Sequence, residues 1–103
     1  MSFKILIIED ELTLQQTLKL NLELENYAVE TCSSGENAIS QIKKFNPDLI
    51  LLDIMLPVLS GVEIYKQLKS LNITTPVIFL TAKNNVQDKI EGLKLGADDY
   101  ITK

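Results

Sequence analysis

Short, almost wholly apolar runs alternate with amphipathic stretches along the whole chain. Because continuous apolar runs are typical of strands buried on both faces, this pattern predicts parallel strands joined by crossover helices in repeated βαβ units. A chain of 103 residues is long enough for one domain with its own hydrophobic core. The predicted strands cover roughly residues 3–8, 28–32, 48–53, 76–81 and 98–101.

Three of the four stretches between these strands have the period of a helix with one buried face. The second helix is predicted to open with the capping box Ser33-x-x-Glu36. The third is predicted to follow Pro57, and the fourth to end near Gly96. Their predicted buried faces consist of Ala38, Ile39, Ile42 and Phe45 in the second helix, Val62, Tyr65 and Leu68 in the third, and Val86, Ile90 and Leu93 in the fourth.

The first helix, at about residues 12–25, is ambiguous by pattern. Leucines at positions 18, 20, 22 and 24 alternate with polar residues as in a strand, whereas Leu14, Leu18 and Leu22 have the spacing of a helix. The length of the segment and its content of Leu, Gln, Lys and Glu favour a helix. Because these leucines cover more than one stripe, a second neighbouring element is expected to pack on it.

The order βαβαβαβαβ with right-handed crossovers predicts a doubly wound α/β fold, a flavodoxin-like five-stranded parallel sheet of strand order 2-1-3-4-5. In that order strands 1 and 3 are adjacent, and their crossovers leave on opposite faces of the sheet. Ligands bind beside such a switch point, at the carboxyl ends of the strands.

Both strands that meet at this point end in acidic residues. Glu9, Asp10 and Glu11 follow the first strand, and Asp53 ends the third. Neighbouring carboxylates repel each other, so such a cluster is typical of a site for a hard cation. Because Mg²⁺ keeps several waters and takes few protein ligands, Asp10 and Asp53 are expected to bind it directly, and Glu9 directly or through water.

Two further polar residues, Thr81 and Lys103, stand at the ends of the fourth and fifth strands. Together with a metal they complete the set that a carboxylate needs to accept a phosphoryl group. Asp53 would be the nucleophile, Thr81 would donate a hydrogen bond to a phosphoryl oxygen, and Lys103 would neutralise another oxygen. Each residue also has an ordinary explanation, since Asp10 or Glu11 could cap the first helix and Thr81 the fourth, while Lys103 could be an exposed terminal residue.

The charge balance excludes some functions for this segment. The net charge is −4 and all ten basic residues are lysine, which argues against direct binding of nucleic acid. A single cysteine, Cys32, excludes an internal disulfide and fits a reducing compartment. No apolar run approaches the ~18 residues that span a bilayer, and early charges exclude a signal peptide, so no membrane partner and a cytoplasmic location are expected.

Four motifs stand at the predicted strand ends, and they are Ile7-Ile8-Glu9-Asp10-Glu11, Leu51-Leu52-Asp53-Ile54-Met55-Leu56-Pro57 with Ser60-Gly61, Leu80-Thr81-Ala82-Lys83, and Gly96-Ala97-Asp98-Asp99-Tyr100-Ile101-Thr102-Lys103. By these motifs and their spacing the chain resembles the receiver domain of a bacterial two-component response regulator, and most closely the OmpR/PhoB subfamily, whose members carry a C-terminal winged-helix DNA-binding domain. The resemblance covers the whole chain from the first strand, as one receiver domain over residues 1–103.

The resemblance implies a phosphorylation switch rather than an enzyme, in which Asp53 accepts a phosphoryl group from a histidine kinase and the domain takes part in its own phosphorylation and dephosphorylation. It implies that the carbonyl of Met55 joins the three acids around Mg²⁺. Contact with DNA would come only through the effector domain of the full-length protein.

The resemblance also implies a switch and a dimer face. Tyr100 is similar to the aromatic residue that swings inward when Thr81 moves toward the phosphoryl group. Lys89, Asp98 and Asp99 are similar to part of a charged dimer face, although they would serve equally well as solvated surface charges.

Family members continue after Lys103 with a proline and a fifth helix, so a receiver fold lacking its last helix and its effector domain is expected here. Apolar side chains from the fourth and fifth strands, such as one set drawn from residues 77–80, and part of the leucine surface at residues 18–24 would then face water. Such a face is expected to lower stability or to be buried in a non-native dimer or by an appended partner.

Three alternative functions compete with the phosphorylation switch. An aspartate-nucleophile phosphatase of the haloacid dehalogenase type needs an acid two residues after the nucleophile, where this chain has Met55. A flavodoxin-like nucleotide binder would place phosphate against Glu9, Asp10 and Glu11, which would repel it. The third alternative is an inactive truncated receiver fragment that acts only as a folding or interaction module.

Overall fold

The computed structural model describes residues 2–56, 58–81 and 99–102, the last segment and Thr81 by their backbone. The predicted strands and the first two helices are found within one or two residues of their expected bounds, and the third helix, predicted to follow Pro57, begins at Gly61. The fourth predicted helix, with Val86, Ile90, Leu93 and Gly96, lies outside the described residues. In chain order the elements are β1 (Lys4–Ile8), α1 (Leu12–Leu24), β2 (Ala28–Cys32), α2 (Gly35–Phe45), β3 (Leu49–Asp53), α3 (Gly61–Ser70), β4 (Val77–Thr81) and β5 (Asp99–Thr102).

The strands form a parallel sheet in the order β2-β1-β3-β4-β5. The predicted parallel α/β sheet is therefore confirmed, and β1 and β3 are neighbours, with Ile8 opposite Leu52. The helix α1, which joins β1 to β2, packs on one face of the sheet, whereas α2, which joins β2 to β3, packs on the other. The carboxyl ends of the two central strands consequently lie side by side.

Alternate residues of the central strands are buried on opposite faces of the sheet. Leu6, Ile8, Ile50 and Leu52 belong to the larger core cluster, beneath α2 and α3. Ile5, Ile7, Leu51 and Leu80 form the smaller cluster, against which Leu18 and Leu22 of α1 pack. This two-sided burial explains why the central strands are apolar at every position instead of every second one.

The helical interpretation of the first amphipathic stretch is confirmed. Leu18 and Leu22, four residues apart, pack on the smaller core cluster, while Leu20 and Leu24 are 60% and 70% exposed. The expected exposure of part of the leucine surface is therefore observed. The alternation with polar residues follows from a helix with more leucines than its buried stripe can hold.

The expected exposure of one face of β4 is wrong for Leu80, although Ile78 on the same face remains partly exposed. Val77 and Phe79 are buried against the α2 and α3 side. On the opposite face Leu80 is only 3% exposed and Ile78 is half-buried. Leu80 is shielded because it packs within the smaller core cluster of neighbouring strands instead of standing alone on an uncovered edge.

The predicted capping box of α2 is wrong by one residue. Ser34, not Ser33, is the N-cap, and its hydroxyl accepts a hydrogen bond from the N–H of Glu36 at 3.1 Å. Ser33 instead accepts a hydrogen bond from Gln15 of α1. A second cap is provided at α3, where the Ser60 hydroxyl accepts from the N–H of Glu63.

Candidate metal centre

Three carboxylates converge at the carboxyl edge of β1 and β3. Glu9, Asp10 and Asp53 each offer a ligand oxygen, and these oxygens lie within 4.8 Å of one another. Their meeting follows from topology, since β1 and β3 are adjacent and parallel and the acids stand at the ends of both strands. The predicted cluster of acids is thus assembled by the fold.

Burial raises the electrostatic free energy of the charged carboxylates in this cluster. Glu9 and Asp53 are fully buried, whereas Asp10 is exposed and borders the solvent. Buried carboxylates lose hydration and repel each other, so a compensating cation is strongly favoured between them. Oxygen ligands that include one solvent-facing acid suit Mg²⁺, which binds through a few carboxylates and retains several waters. The donor set therefore fits Mg²⁺.

Asp53 is held by the loop that follows it. One carboxylate oxygen, Oδ1, accepts a hydrogen bond from the N–H of Met55 at 3.0 Å. The preceding N–H, that of Ile54, donates to the Leu80 carbonyl at 3.1 Å, and the Ile54 carbonyl accepts from the N–H of Gly61 at 2.9 Å. Met55 itself is 60% exposed, at the rim of the cluster. The N–H of Met55 therefore orients the Asp53 carboxylate, and the two bonds of Ile54 hold the loop backbone from which that N–H comes.

Gly61 permits this close approach of loop and helix. A Cβ atom at this position would overlap the carbonyl oxygen of Asp53 and would lie 2.8 Å from the Cα atom of Ile54. Any larger residue would therefore push α3 away from the end of β3. The Ser60-Gly61 motif positions the acidic residue as well as beginning the helix.

Glu9 is restrained along its whole length. Its N–H donates to the carbonyl of Cys32 at 3.0 Å, and its carboxylate oxygen Oε2 accepts from the N–H of Glu11 at 3.0 Å. The Glu9 carbonyl accepts from the side-chain amide of Gln15 at 2.8 Å. These bonds fix the turn between β1 and α1 that presents the acids.

The helix-capping explanation of the acids is not supported. Glu11 is the N-cap residue of α1, and no side chain makes a capping hydrogen bond there. Gln15 was missed by sequence reasoning. The available signal was a glutamine beside Leu14 and Leu18, close to the helix stripe that faces the sheet.

The other predicted site residues are only partly located. The backbone of Thr81 ends β4 one residue beyond Leu80, which is the partner of Asp53 in the sheet register. The backbones of Asp99 and Tyr100 pair with residues 78 and 79 of β4. The predicted site and surface residues Lys89, Asp98 and Lys103 lie outside the described residues.

Comparisons with known proteins place the chain in a family. The profile of the response regulator receiver domain matches residues 5–103. The alkaline phosphatase synthesis transcriptional regulatory protein PhoP of Bacillus subtilis is 48% identical over 103 residues, which are 100% of this chain and 43% of that protein. The response regulator ArlR of Staphylococcus saprophyticus is 48% identical over 97% of this chain and 45% of its own length. The chain spans less than half the length of these curated relatives.

Solved structures of receiver domains have the same fold. The receiver domain of the Francisella response regulator 1452 superposes with a TM-score of 0.89 and 39% identity, over 97% of this chain and 83% of that one. The response regulator TrrA of Thermotoga maritima, solved in complex with Mg²⁺ and BeF, gives a TM-score of 0.86 and 31% identity, over 100% of this chain and 87% of that one.

The described part of the chain contains no helix that is long and apolar enough to cross a membrane. The flavodoxin-like α/β architecture predicted from the sequence is confirmed by these superpositions. The acidic cluster of Glu9, Asp10 and Asp53 is the donor set typical of a receiver-domain Mg²⁺ site. The chain therefore belongs to the family of response regulator receiver domains, phosphorylation-dependent signalling domains of two-component systems rather than classical enzymes.

Proposed function

We propose that this domain is a phosphorylation switch in which Asp53 is the phosphoacceptor and Glu9, Asp10 and Asp53 hold Mg²⁺, with the Met55 carbonyl as a further ligand. The observation that carries the proposal is the convergence of three carboxylates within 4.8 Å around a fully buried Asp53 at the end of β3. A buried nucleophile beside a cation site is protected from water and oriented toward one entry direction.

Asp53 acts as a nucleophile on a phosphohistidine of a sensor histidine kinase. A carboxylate oxygen of Asp53 forms a bond to phosphorus while the phosphorus–nitrogen bond breaks and the imidazole keeps its electron pair. The N–H of Met55, 3.0 Å from Oδ1, holds the carboxylate in place during this displacement. Bound Mg²⁺ supplies positive charge that offsets the repulsion between the phosphoryl oxygens and the acids.

Thr81, Lys103 and Tyr100 complete the proposed switch. Thr81 ends the strand next to Asp53 and would donate its hydroxyl hydrogen bond to a phosphoryl oxygen. Lys103, directly after β5, would neutralise a second oxygen. Tyr100, on β5, would follow the movement of Thr81 and carry the signal to a surface that includes Lys89, Asp98 and Asp99.

The proposed switch is one receiver domain over residues 1–103, built on a doubly wound sheet in which β5 is the fifth strand. In the full-length protein it controls an effector domain. A DNA-binding effector is supported by the relatives, which are transcriptional regulators more than twice as long as the matched segment. This function requires two partners, a sensor histidine kinase and the DNA that the effector domain binds.

Phosphorylation by a small donor tests the proposal directly. Incubation of the chain with acetyl phosphate and Mg²⁺ should add one phosphoryl group that is labile to hydroxylamine, as measured by intact mass. Asp53→Ala should abolish this addition, whereas Asp48→Ala, at the opposite end of β3, should retain it. Modification that persists in Asp53→Ala would assign the chemistry to another residue. A chain that binds Mg²⁺ but takes up no phosphoryl group would be an inactive fragment.

A further inference from the structure

Gln15 is an unusual residue for its position in α1. Of the thirteen residues of this helix, all of which the structure describes, only Gln15 is buried, with 2% exposure. The leucines that pack on the sheet from the same helix are only partly buried. A buried amide is unfavourable unless its hydrogen-bonding groups are satisfied. Its polar contacts therefore indicate what the residue does.

The side-chain amide of Gln15 joins two loops at the edge of the sheet. Its Nε2 atom donates to the Glu9 carbonyl at 2.8 Å and to the Ser33 hydroxyl at 3.1 Å, which uses both N–H groups of the amide. Its Oε1 atom accepts a longer hydrogen bond, 3.4 Å, from the side chain of Gln16. Gln15 thus connects the turn after β1 with the segment after β2.

The contact with Glu9 reaches the metal ligands through the backbone. The peptide group held by Gln15 lies between Glu9 and Asp10, two of the three acids of the cluster. The same turn is closed by the bond from the N–H of Glu11 to the carboxylate of Glu9. Rotation of this peptide would therefore alter the direction of both carboxylates relative to Asp53.

We propose that Gln15 is a positioning residue, which holds the turn between Glu9 and Asp10 in the geometry that binds Mg²⁺. This inference rests on the proposed function of the acidic cluster. An apolar side chain could fill the same space, but the Glu9 carbonyl would lose its buried donor and the turn would relax to recover a hydrogen bond. Residues that orient metal ligands typically change metal affinity by about 10–100-fold when they are removed.

The test compares Gln15→Met, which preserves length and approximate volume without an N–H donor, with the wild-type chain. We expect the Mg²⁺ dissociation constant, measured by isothermal titration calorimetry, to rise about tenfold. Urea melts in EDTA and in saturating Mg²⁺ provide the second readout. A tenfold weaker affinity lowers the Mg²⁺-dependent gain in stability by about 1.4 kcal/mol. Ser33→Ala, which retains the bond to Glu9, is the control and should bind Mg²⁺ nearly as the wild type does.

A purely structural role predicts a different result. Gln15→Met would then be destabilised equally with and without Mg²⁺ and would bind Mg²⁺ with the wild-type affinity, which would overturn the proposal. If Gln15→Met does not fold, Gln15→Asn decides the question, because it keeps a polar amide that is one methylene too short to reach Glu9. A wild-type affinity for Mg²⁺ in Gln15→Asn would also overturn it. Absence of Mg²⁺ binding by the wild-type chain would instead refute the proposed function of the cluster.

Discussion

Replacement of Gly61 by alanine is expected to destabilise the domain through a direct clash behind the acidic cluster. The added Cβ would overlap the Asp53 carbonyl oxygen and would lie 2.8 Å from Cα of Ile54. Carbon atoms normally pack at about 3.5–4.0 Å, so α3 must move away from β3 by roughly an ångström. That movement also stretches the 2.9 Å hydrogen bond from the N–H of Gly61 to the Ile54 carbonyl.

The magnitude follows from three contributions. Overpacking of this kind typically costs about 1–3 kcal/mol, and a lost hydrogen bond about 0.5–1.5 kcal/mol. Replacement of glycine by alanine restores about 0.4–1 kcal/mol by restricting the unfolded chain. The net loss for Gly61→Ala is therefore about 2 kcal/mol, a substantial part of the ~5–15 kcal/mol that stabilises a small domain.

Gly35 offers a matched control. It too is the first residue of a helix and follows a serine cap, Ser34, as Gly61 follows Ser60. A Cβ atom at Gly35 would lie 2.7 Å from the carbonyl oxygen of Leu59, in a loop instead of at the end of a strand. Because a loop can yield more readily, Gly35→Ala is expected to cost about 1 kcal/mol or less.

Urea unfolding followed by circular dichroism measures both variants. Gly61→Ala should shift the midpoint down by about 1–2 M urea, and Gly35→Ala by clearly less. Only Gly61→Ala should also weaken Mg²⁺ binding, because only its clash displaces Asp53. The reasoning is refuted if Gly61→Ala is as stable as the wild type or if Gly35→Ala is the more damaging change.

Two further predictions concern the same edge of the sheet. Asp10→Asn removes a ligand charge and should raise the Mg²⁺ dissociation constant, measured by calorimetry, at least about tenfold. The control Glu11→Gln, next in the turn and outside the cluster, should change this constant little. Equal effects of the two substitutions would contradict the assignment of Asp10 as a ligand. Val58 has a left-handed φ of 67° and is 89% exposed. Because asparagine tolerates this conformation better than a β-branched residue does, Val58→Asn should raise the free energy of unfolding by about 1 kcal/mol. The β-branched control Val58→Thr should leave it unchanged. A loss of stability in Val58→Asn would show that its side chain packs in solution.

Much of the fold and the cluster could be predicted from local pattern. Apolar runs such as Ile5–Ile8 and the acids that follow them identify strands and their polar ends without knowledge of any contact. The strand order followed from general rules of handedness, and it alone brings Asp53 beside Glu9 and Asp10. Long-range convergence was predictable here because parallel strands with regular crossovers leave few arrangements.

The sequence by itself determined the α/β alternation, the acidic edge and the residue types needed for phosphoryl chemistry. Only the tertiary structure decided which serine caps α2, since the Ser33 hydroxyl accepts a hydrogen bond from Gln15 and the Ser34 hydroxyl accepts one from the helix. It also decided that Leu80 is buried, against expectation, and that Glu9 is held through its backbone. The physical reason is that caps, burial and side-chain hydrogen bonds depend on neighbours distant in sequence, whereas periodicity depends only on the segment itself.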